Sequence, residues 1–529
     1  MQSTSVVKAK PKDRKAGGPF WGPGRFLLVI ALLVTVSASL LVLRERLLGL
    51  GRFAQAAAVL KIIEDNYVQE TDPDELSRAA ISGMLGNLGD PNSIYVPPAV
   101  AEQFNRMVMG ADFVGIGVQV QRRDGFVTVT TPMAGTPAAR AGVLPGDRIV
   151  AVDGVDTREL DTEEVTTLIA GPRGEAVTLT VLRGEDGAGE TGEGDEIDLE
   201  IVRGDIRAES VKGLRRLDTE GAWYHALDDE RGIGYVRITQ FVGGTAEATY
   251  AAIGRAREQL AAQDAELDAL ILDLRSNPGG VIGEAVGVAD LFIPGGPVVR
   301  TQDRQGNSTS LSAAPGVAFE GPIVVMIDGI SASGSEIVAG AMAERLEDAK
   351  VLGTRTFGKA SVQTVYGLPD GGTLKLTEAH YLLPSGRNLQ RLPPGTAGSA
   401  EWGVDPSPGM HVALEAGDGA RLAGLLERLD AVGGEDGNGG IAERTWDSAE
   451  DLLAAIDDPQ LSAAHEALAG RLATGEWPRV GGDPITGERA LRIEQLEQAL
   501  GRMATERERM LDEIERLRSE ISDDELSER

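Results

Sequence analysis

The 529-residue chain contains no cysteine, which excludes disulfide bridges and thiolate metal sites. Basic residues are few beside acidic ones, 51 Lys and Arg against 82 Asp and Glu, for a formal net charge of −31. Phosphate backbones are bound by basic surface, so this balance argues against a nucleic-acid partner. Histidine is limited to His225, His380, His411 and His465. No cluster with metal-ligand spacing is visible, and neither a metal nor a cofactor is expected. What is present is enough apolar content, 42%, for real cores in a chain long enough for several domains.

The amino terminus runs against the acidic trend. Lys8, Lys10, Lys12, Arg14, Lys15 and Arg25 precede FLLVIALLVTVSASLLVL at 26–43, an uncharged stretch closed by Arg44 and Glu45. That length just spans a bilayer, and the basic flank predicts a cytoplasmic 1–25 segment, with the remainder outside. Val36-Ser37-Ala38 also resembles a signal-peptide cleavage site. The apolar run continues past it, which favours an uncleaved signal-anchor.

The run DGISASGSE at 328–336 follows PIVVMI, a β-branched stretch that reads as a buried strand, and precedes IVAGAMAERL, which reads as a helix. A serine at such a junction is exposed beside the free amides of a helix start, where an acyl-transfer nucleophile needs to be. A serine hydroxyl also needs a base, and a lysine held neutral by burial can serve. Lys359, in TFGKASVQ at 356–363, is the candidate.

Together these two segments resemble the Ser-Lys core of the carboxyl-terminal processing (tail-specific) proteases, which usually read SASASE and TFGKGSVQ. Gly334 stands for an alanine, Ala360 for a glycine, and the helix-to-strand stretch is one residue longer; no reacting group is lost. The resemblance implies Ser333 as nucleophile, Lys359 as general base and Gln363 as the group orienting the lysine. It leaves Ser331 and Ser335 as turn and cap residues, whose oxygens serve amides at the helix start. Gly334 supplies one oxyanion-hole amide. A second comes from the loop that ends LDALILDLRSNPGG at 267–280, from either Gly279 or Gly280.

The resemblance extends over roughly 55–410 and implies an α/β multidomain fold. Residues 51–110 form a helical N-terminal region ending in GDPNSIYVPP, and 111–204 an inserted PDZ domain, β-rich with helices. An α/β protease core with a partly parallel sheet follows at 205–412. In FVGIGV, the backbone of Phe113, Val114, Gly115, Ile116, Gly117 and Val118 would bind a peptide's terminal carboxylate, and the next strand would pair with the peptide. Arg140 and Asp147 read as fold or surface residues, and GEDGAGETGEGDE at 184–196 as an acidic hairpin loop. A linker and helical region, 413–485, carries only a faint echo of the family in DDPQLSAA.

The last segment, 486–529, departs from the family. Apolar residues recur at alternating three- and four-residue intervals over 493–521, with Arg507 at a core position, the pattern of a coiled coil. Self-association through it competes with docking on the chain's own core. The resemblance thus implies an endopeptidase anchored by a single span in the bacterial inner membrane, with its protease domain on the periplasmic side, acting on exported proteins with free C-termini. A trypsin-like PDZ protease is disfavoured because none of the four histidines lies in such a motif, and a GxSxG elbow is absent around Ser331 and Ser333. From a different class, a non-catalytic adaptor using the PDZ unit and coiled coil is the alternative.

Overall fold

A computed structural model of the chain describes residues 53–484 except 110–112, 124, 134, 185–193, 207–208, 218–221, 393–400, 416–417 and 431–447, together with residues 493, 496, 500, 507 and 510. The basic segment 1–25 and the apolar run 26–43 lie outside the described residues. Among the described residues no helix is long and apolar enough to cross a membrane.

The chain divides into two compact units, Met1–Asp90 and Pro91–Arg529. In the first, helices α1 (53–66) and α2 (Pro73–Gly86) are described. Asp72 starts α2 by accepting the Asp74 amide at 2.8 Å, and Pro73 fills the first helical position, where no amide is needed.

The second unit opens with strand β1 (Ile94–Val96) and helix α3 (Pro98–Met109). The PDZ module follows, and its two ends are paired: β2 (Phe113–Gly115) runs antiparallel to β9 (Gly204–Ile206), with Phe113 opposite Ile206. Between them lie β3 (Val118–Arg123), β4 (Phe126–Pro132), α4 (Pro137–Arg140), β5 (Arg148–Val152), β6 (Val155–Asp156), α5 (Thr162–Ile169), β7 (Ala176–Arg183) and β8 (Asp195–Val202). The sheet order is β3-β4-β5-β7-β8 with β6 on β5, so β3 is an edge strand. Along β7, Val177, Leu179 and Val181 alternate into a core with Ile116, Val129 and Val165. β7 and β8 form the expected hairpin, Arg183 facing Asp195, while loop residues 185–193 lie outside the described residues. Asp147 is buried and held by Arg183 with bonds of 2.7 Å, and exposed Arg140 donates to the Gly135 carbonyl, so both serve the fold.

In the protease core, short strands β10 (Val211–Lys212), β11 (Arg215–Arg216), β12 (Trp223–Tyr224) and β13 (Ala226–Asp228) lead into a parallel sheet. Its strands β14 (Ile233–Ile238), β15 (Ala269–Asp273), β18 (Ile323–Ile327) and β19 (Ala349–Gly353) lie in that order, and β10 and β13 pair antiparallel to β14. These strands are buried on both faces, as sheathed parallel strands are. Leu270, Leu272, Val325 and Ile327 face one core, shared with helices α6 (Thr245–Ala261), α7 (Ile282–Asp290) and α8 (Gly334–Arg345).

Ile271, Val324 and Met326 face the other, which is filled from the C-terminal region by α9 (Asp418–Asp430), α10 (Ala449–Ile456) and α11 (Pro459–Thr474). Residues beyond 412, expected as a linker and helical region, therefore supply the second layer of the protease core. A parallel sheet with one bare apolar face would be unstable, and these helices cover it. A second sheet, ordered β1-β21-β16-β17, contains β16 (Gly296–Asp303), β17 (Ser308–Ala313) and β21 (Thr373–Leu382), with β20 (Ser361–Gly367) on β21. Within the region expected to be helical, Ile94–Val96 is thus a strand, paired to Thr373–Lys375.

Candidate active site

Ser333 stands between β18 and α8, at the N-cap position. Its φ of 54° with ψ of −110° is a conformation a non-glycine residue adopts only under constraint. The constraint is local. Asp328 accepts the amides of Ile330 and Ser331 at 3.0 and 2.9 Å, and the Ser331 hydroxyl donates to the Leu274 carbonyl at 2.8 Å. Ser335 donates to the Asn277 carbonyl at 2.9 Å. Ser331 also accepts the Asp328 amide, as a turn residue does, whereas Ser335 serves a neighbouring loop and not the helix-start amides expected of it. Both are completely buried, while Ser333 keeps 8% of its surface exposed.

Three residues on, Glu336 ties the serine turn to the lysine loop. Its Oε2 accepts the Ser333 amide at 2.8 Å and the Lys359 amide at 2.9 Å, so these two nitrogens are no further apart than the two bonds laid end to end. Its Oε1 accepts the Gly358 amide at 2.8 Å and the Thr356 hydroxyl at 2.5 Å. The buried Tyr381 hydroxyl reaches the same place, its one proton within reach of Glu336 Oε2 and of the carbonyls of Ser333 and Lys359. Burial raises the Glu336 pKa above the ordinary glutamate value even against these donors. The Phe357 amide adds a bond to the Ser331 carbonyl at 2.9 Å. Ser333 and Lys359, separated in sequence by a helix and a strand, are thereby brought to one place.

The loop after β15 lies against the serine. A Cβ at Gly279, whose φ is +96°, would fall 2.6 Å from the Ser333 Cβ, so only glycine allows this approach. The Gly279 amide donates to Asn277 Oδ1 at 2.8 Å. Gly280 is exposed, and neither its amide nor that of Gly334 donates to an acceptor among the described residues. A Cβ at Gly334 would lie 2.8 Å from the buried Phe241 ring, which gives the departure from alanine at this position a packing reason.

Lys359 is partly buried and Gln363 lies on β20, where its Nε2 donates to Ser361 and Thr377 at 2.8 and 3.1 Å. That leaves the Gln363 side-chain oxygen as its acceptor. In the PDZ module, the carbonyls of Ile116 and Gly117 accept the amides of Ala138 and Met133, each at 2.8 Å. Gly117, with φ of +83°, has the Thr136 side chain 2.4 Å from where a Cβ would be. Of the heptad positions, Ile493, Leu496, Leu500, Arg507 and Met510 are helical and exposed; Met503, Ile514, Leu517 and Ile521 lie outside the described residues.

Glu336, Tyr381 and Phe241 were not singled out from the sequence, and Asn277 was read only as part of the loop that carries Gly279 and Gly280. Glu336 closes the SASGSE string, and its spacing from Ser333 matches a capping box, which was the available signal. Tyr381 and Phe241 carry no such mark.

Comparison with known proteins agrees with this geometry. Residues 232–397 match the model of peptidase family S41, residues 128–183 a PDZ domain, and residues 44–98 the N-terminal domain of the activating protease CtpB. A carboxy-terminal-processing protease of Bartonella bacilliformis is 34% identical over 365 residues, covering 68% of this chain and 78% of that one. A probable CtpA-like serine protease of Staphylococcus aureus is 34% identical over 371 residues, 68% of each chain. Among solved structures, a photosystem II D1 C-terminal processing protease is 25% identical, covers 68% of this chain and 92% of that one, and has a TM-score of 0.36. With a serine at the strained helix start, a lysine loop bonded to it and relatives of this identity and coverage, the chain belongs to peptidase family S41, the carboxy-terminal-processing serine proteases.

Proposed function

We propose that Ser333 and Lys359 act as a Ser-Lys dyad. The Lys359 amine, neutral, takes the Ser333 proton as Oγ attacks the scissile carbonyl, and returns it to the leaving amine. Water then hydrolyses the acyl-enzyme by the same route in reverse. The carbonyl oxygen, as it becomes an oxyanion, is received by the amides of Gly334 and Gly280. Gly280 is preferred over Gly279 because the Gly279 amide is already bonded to Asn277. Gln363 accepts from Lys359 through its side-chain oxygen, its nitrogen being held by Ser361 and Thr377. The observation that carries this reading is the Glu336 carboxylate, which accepts the Ser333 and Lys359 amides on one oxygen.

The test is hydrolysis of a disordered protein with an apolar tail by the full-length chain. Ser333→Ala and Lys359→Ala should each abolish it, and Lys359→Arg should fail as well, because a guanidinium is not a base near neutral pH. Normal turnover in either alanine variant would overturn the dyad.

The same reading assigns the PDZ module to capture of substrate C-termini. Among the described residues the amides of Ile116 and Gly117 donate to no acceptor, and this with the edge position of β3 supports it. A peptide with a free C-terminus should bind more tightly than its amidated twin. The apolar run 26–43 is assigned to a membrane anchor that places the protease outside the inner membrane, and the 493–521 heptad to self-association. Exposure of Ile493, Leu496, Leu500 and Met510 on helical backbone supports the last. Light scattering of the detergent-solubilised chain with and without 485–529 tests it; an unchanged number of protomers would refute it.

A further inference from the structure

Arg275 ends the strand-to-loop segment five residues before Gly280. Its guanidinium is largely buried and engaged on two sides. Nε and Nη2 donate to Asp273, Nη2 at 2.7 Å. Nη1 donates to Asp458 Oδ1 and to Gln460 Oε1, both at 3.1 Å, and Nη2 lies 2.8 Å from Asp458 Oδ2. Asp458 and Gln460 form the first turn of α11. Asp458 caps that helix through the Gln460 and Leu461 amides, and the Gln460 Nε2 donates to the Val412 carbonyl at 2.7 Å. The receiving end of the fork is therefore rigid.

The next residue, Ser276, has a φ of +57°, and Asp328 of the serine turn accepts both its amide and its hydroxyl, at 2.9 and 3.1 Å. The loop is thus gripped at 275 from α11 and at 276 from the nucleophile's own turn. A planar guanidinium bonded bidentately resists swivelling, unlike a single point contact.

We propose that Asp458 and Gln460 are positioning residues for peptide hydrolysis: by holding Arg275, the first turn of α11 fixes the 274–280 loop and keeps the Gly280 amide where the oxyanion forms. The inference rests on the oxyanion assignment made above. It extends the functional unit past residue 397, where the match to the model of peptidase family S41 ends, to a helix distant in sequence from every reacting group.

The experiment uses the full-length chain in detergent, with Asp458→Ala, Asp458→Asn and Gln460→Ala. Reactive Ser333 is counted by fluorophosphonate labelling, so that kcat is expressed per competent serine. In Asp458→Ala, kcat should fall about 10–100-fold, the scale of a small misplacement of a catalytic group, with KM within about twofold. Affinity for a peptide boronate, which places an oxygen in the oxyanion position, should fall in parallel, while affinity for the corresponding uncleaved peptide stays constant. Asp458→Asn, which keeps an oxygen facing Arg275, should recover part of kcat. If Asp458→Ala fails to fold, Gln460→Ala, which leaves the ion pair intact, carries the same expectation at smaller size. Wild-type kcat per labelled serine in these variants, with or without a lower melting temperature, overturns the proposal. Hydrolysis surviving in Ser333→Ala would instead remove the site itself, and the two failures are distinguishable.

Discussion

Glu336 concentrates five donors on one buried carboxylate: three backbone amides, a threonine hydroxyl and a tyrosine hydroxyl. Glu336→Gln keeps the shape but turns one acceptor oxygen into a donor nitrogen. In either amide orientation, at least one backbone amide then faces another donor, at a cost of about 1–3 kcal/mol for each group left unsatisfied. Melting temperature and hydrolysis should both drop, and a variant with wild-type values for both would show that the bridge is dispensable. His225 gives a pH signature. Burial, foremost, lowers its pKa to about 4, the nearby Arg255 charge acting in the same direction and outweighed support coming from the Tyr235 carbonyl. A histidine depressed in the folded state contributes stability that is complete above about pH 6.5 and is lost as pH falls through about 4, on the order of 3 kcal/mol. Urea unfolding from pH 7 to 4 should show that loss in the native chain and a flatter profile in His225→Gln. At this scale Ser333, Lys359 and Gln363 were legible because each sits in a short motif. The partners that hold them were not, since Tyr381 reaches the carbonyls of Ser333 and Lys359 from β21, a segment whose approach no local pattern records.

Helix α9 ends on Asp430, which accepts from Lys212 at 2.5 Å and from Arg237, while its carbonyl accepts Arg216 Nε at 2.7 Å. Burial lowers the pKa of Lys212 despite that partner. Asp430→Ala removes the carboxylate to which two largely buried cations are bonded, leaving only the more distant Glu209 and Asp273 charges, which should cost about 3–5 kcal/mol in denaturant unfolding. A loss below about 1 kcal/mol, typical of surface pairs, would mean that water reaches the pair freely. Strand β18 was readable from the β-branched run PIVVMI, and helix α8 from the stretch IVAGAMAERL that follows the serines. Strand β1 was not, because three residues carry no periodicity and its partner β21 lies far along the chain. The C-terminal helices were recognisable as helices, but an apolar stripe does not name the surface it covers. The stretch DDPQLSAA carried a faint family echo, and nothing in it said that its Asp458 and Gln460 would bond to Arg275.

For the molecule as a whole, the second core sets where the chain can be shortened. Leu425, Leu453, Leu461 and Leu468 pack on Ile271, Val324 and Met326, and the backbone pairing of His411 with Gly482 closes that layer. A chain ending at Pro484 should fold and hydrolyse peptides. One ending at Val412 should aggregate, its sheet bare on one side. Size-exclusion profiles and fluorophosphonate labelling of the two truncations check this, and a soluble, labelled 412-residue chain would refute it.

The pairing of β2 with β9 has an evolutionary and practical consequence. Phe113 and Ile206 face one another across an antiparallel pair, where Cα atoms lie about 5 Å apart. To the catalytic scaffold, an entire PDZ domain is thus no wider a gap than a hairpin. Genes can exchange such a cassette at two neighbouring positions without re-registering any strand of the scaffold. A foreign module whose own ends meet side by side could be spliced between these residues while the hydrolytic machinery keeps its sequence.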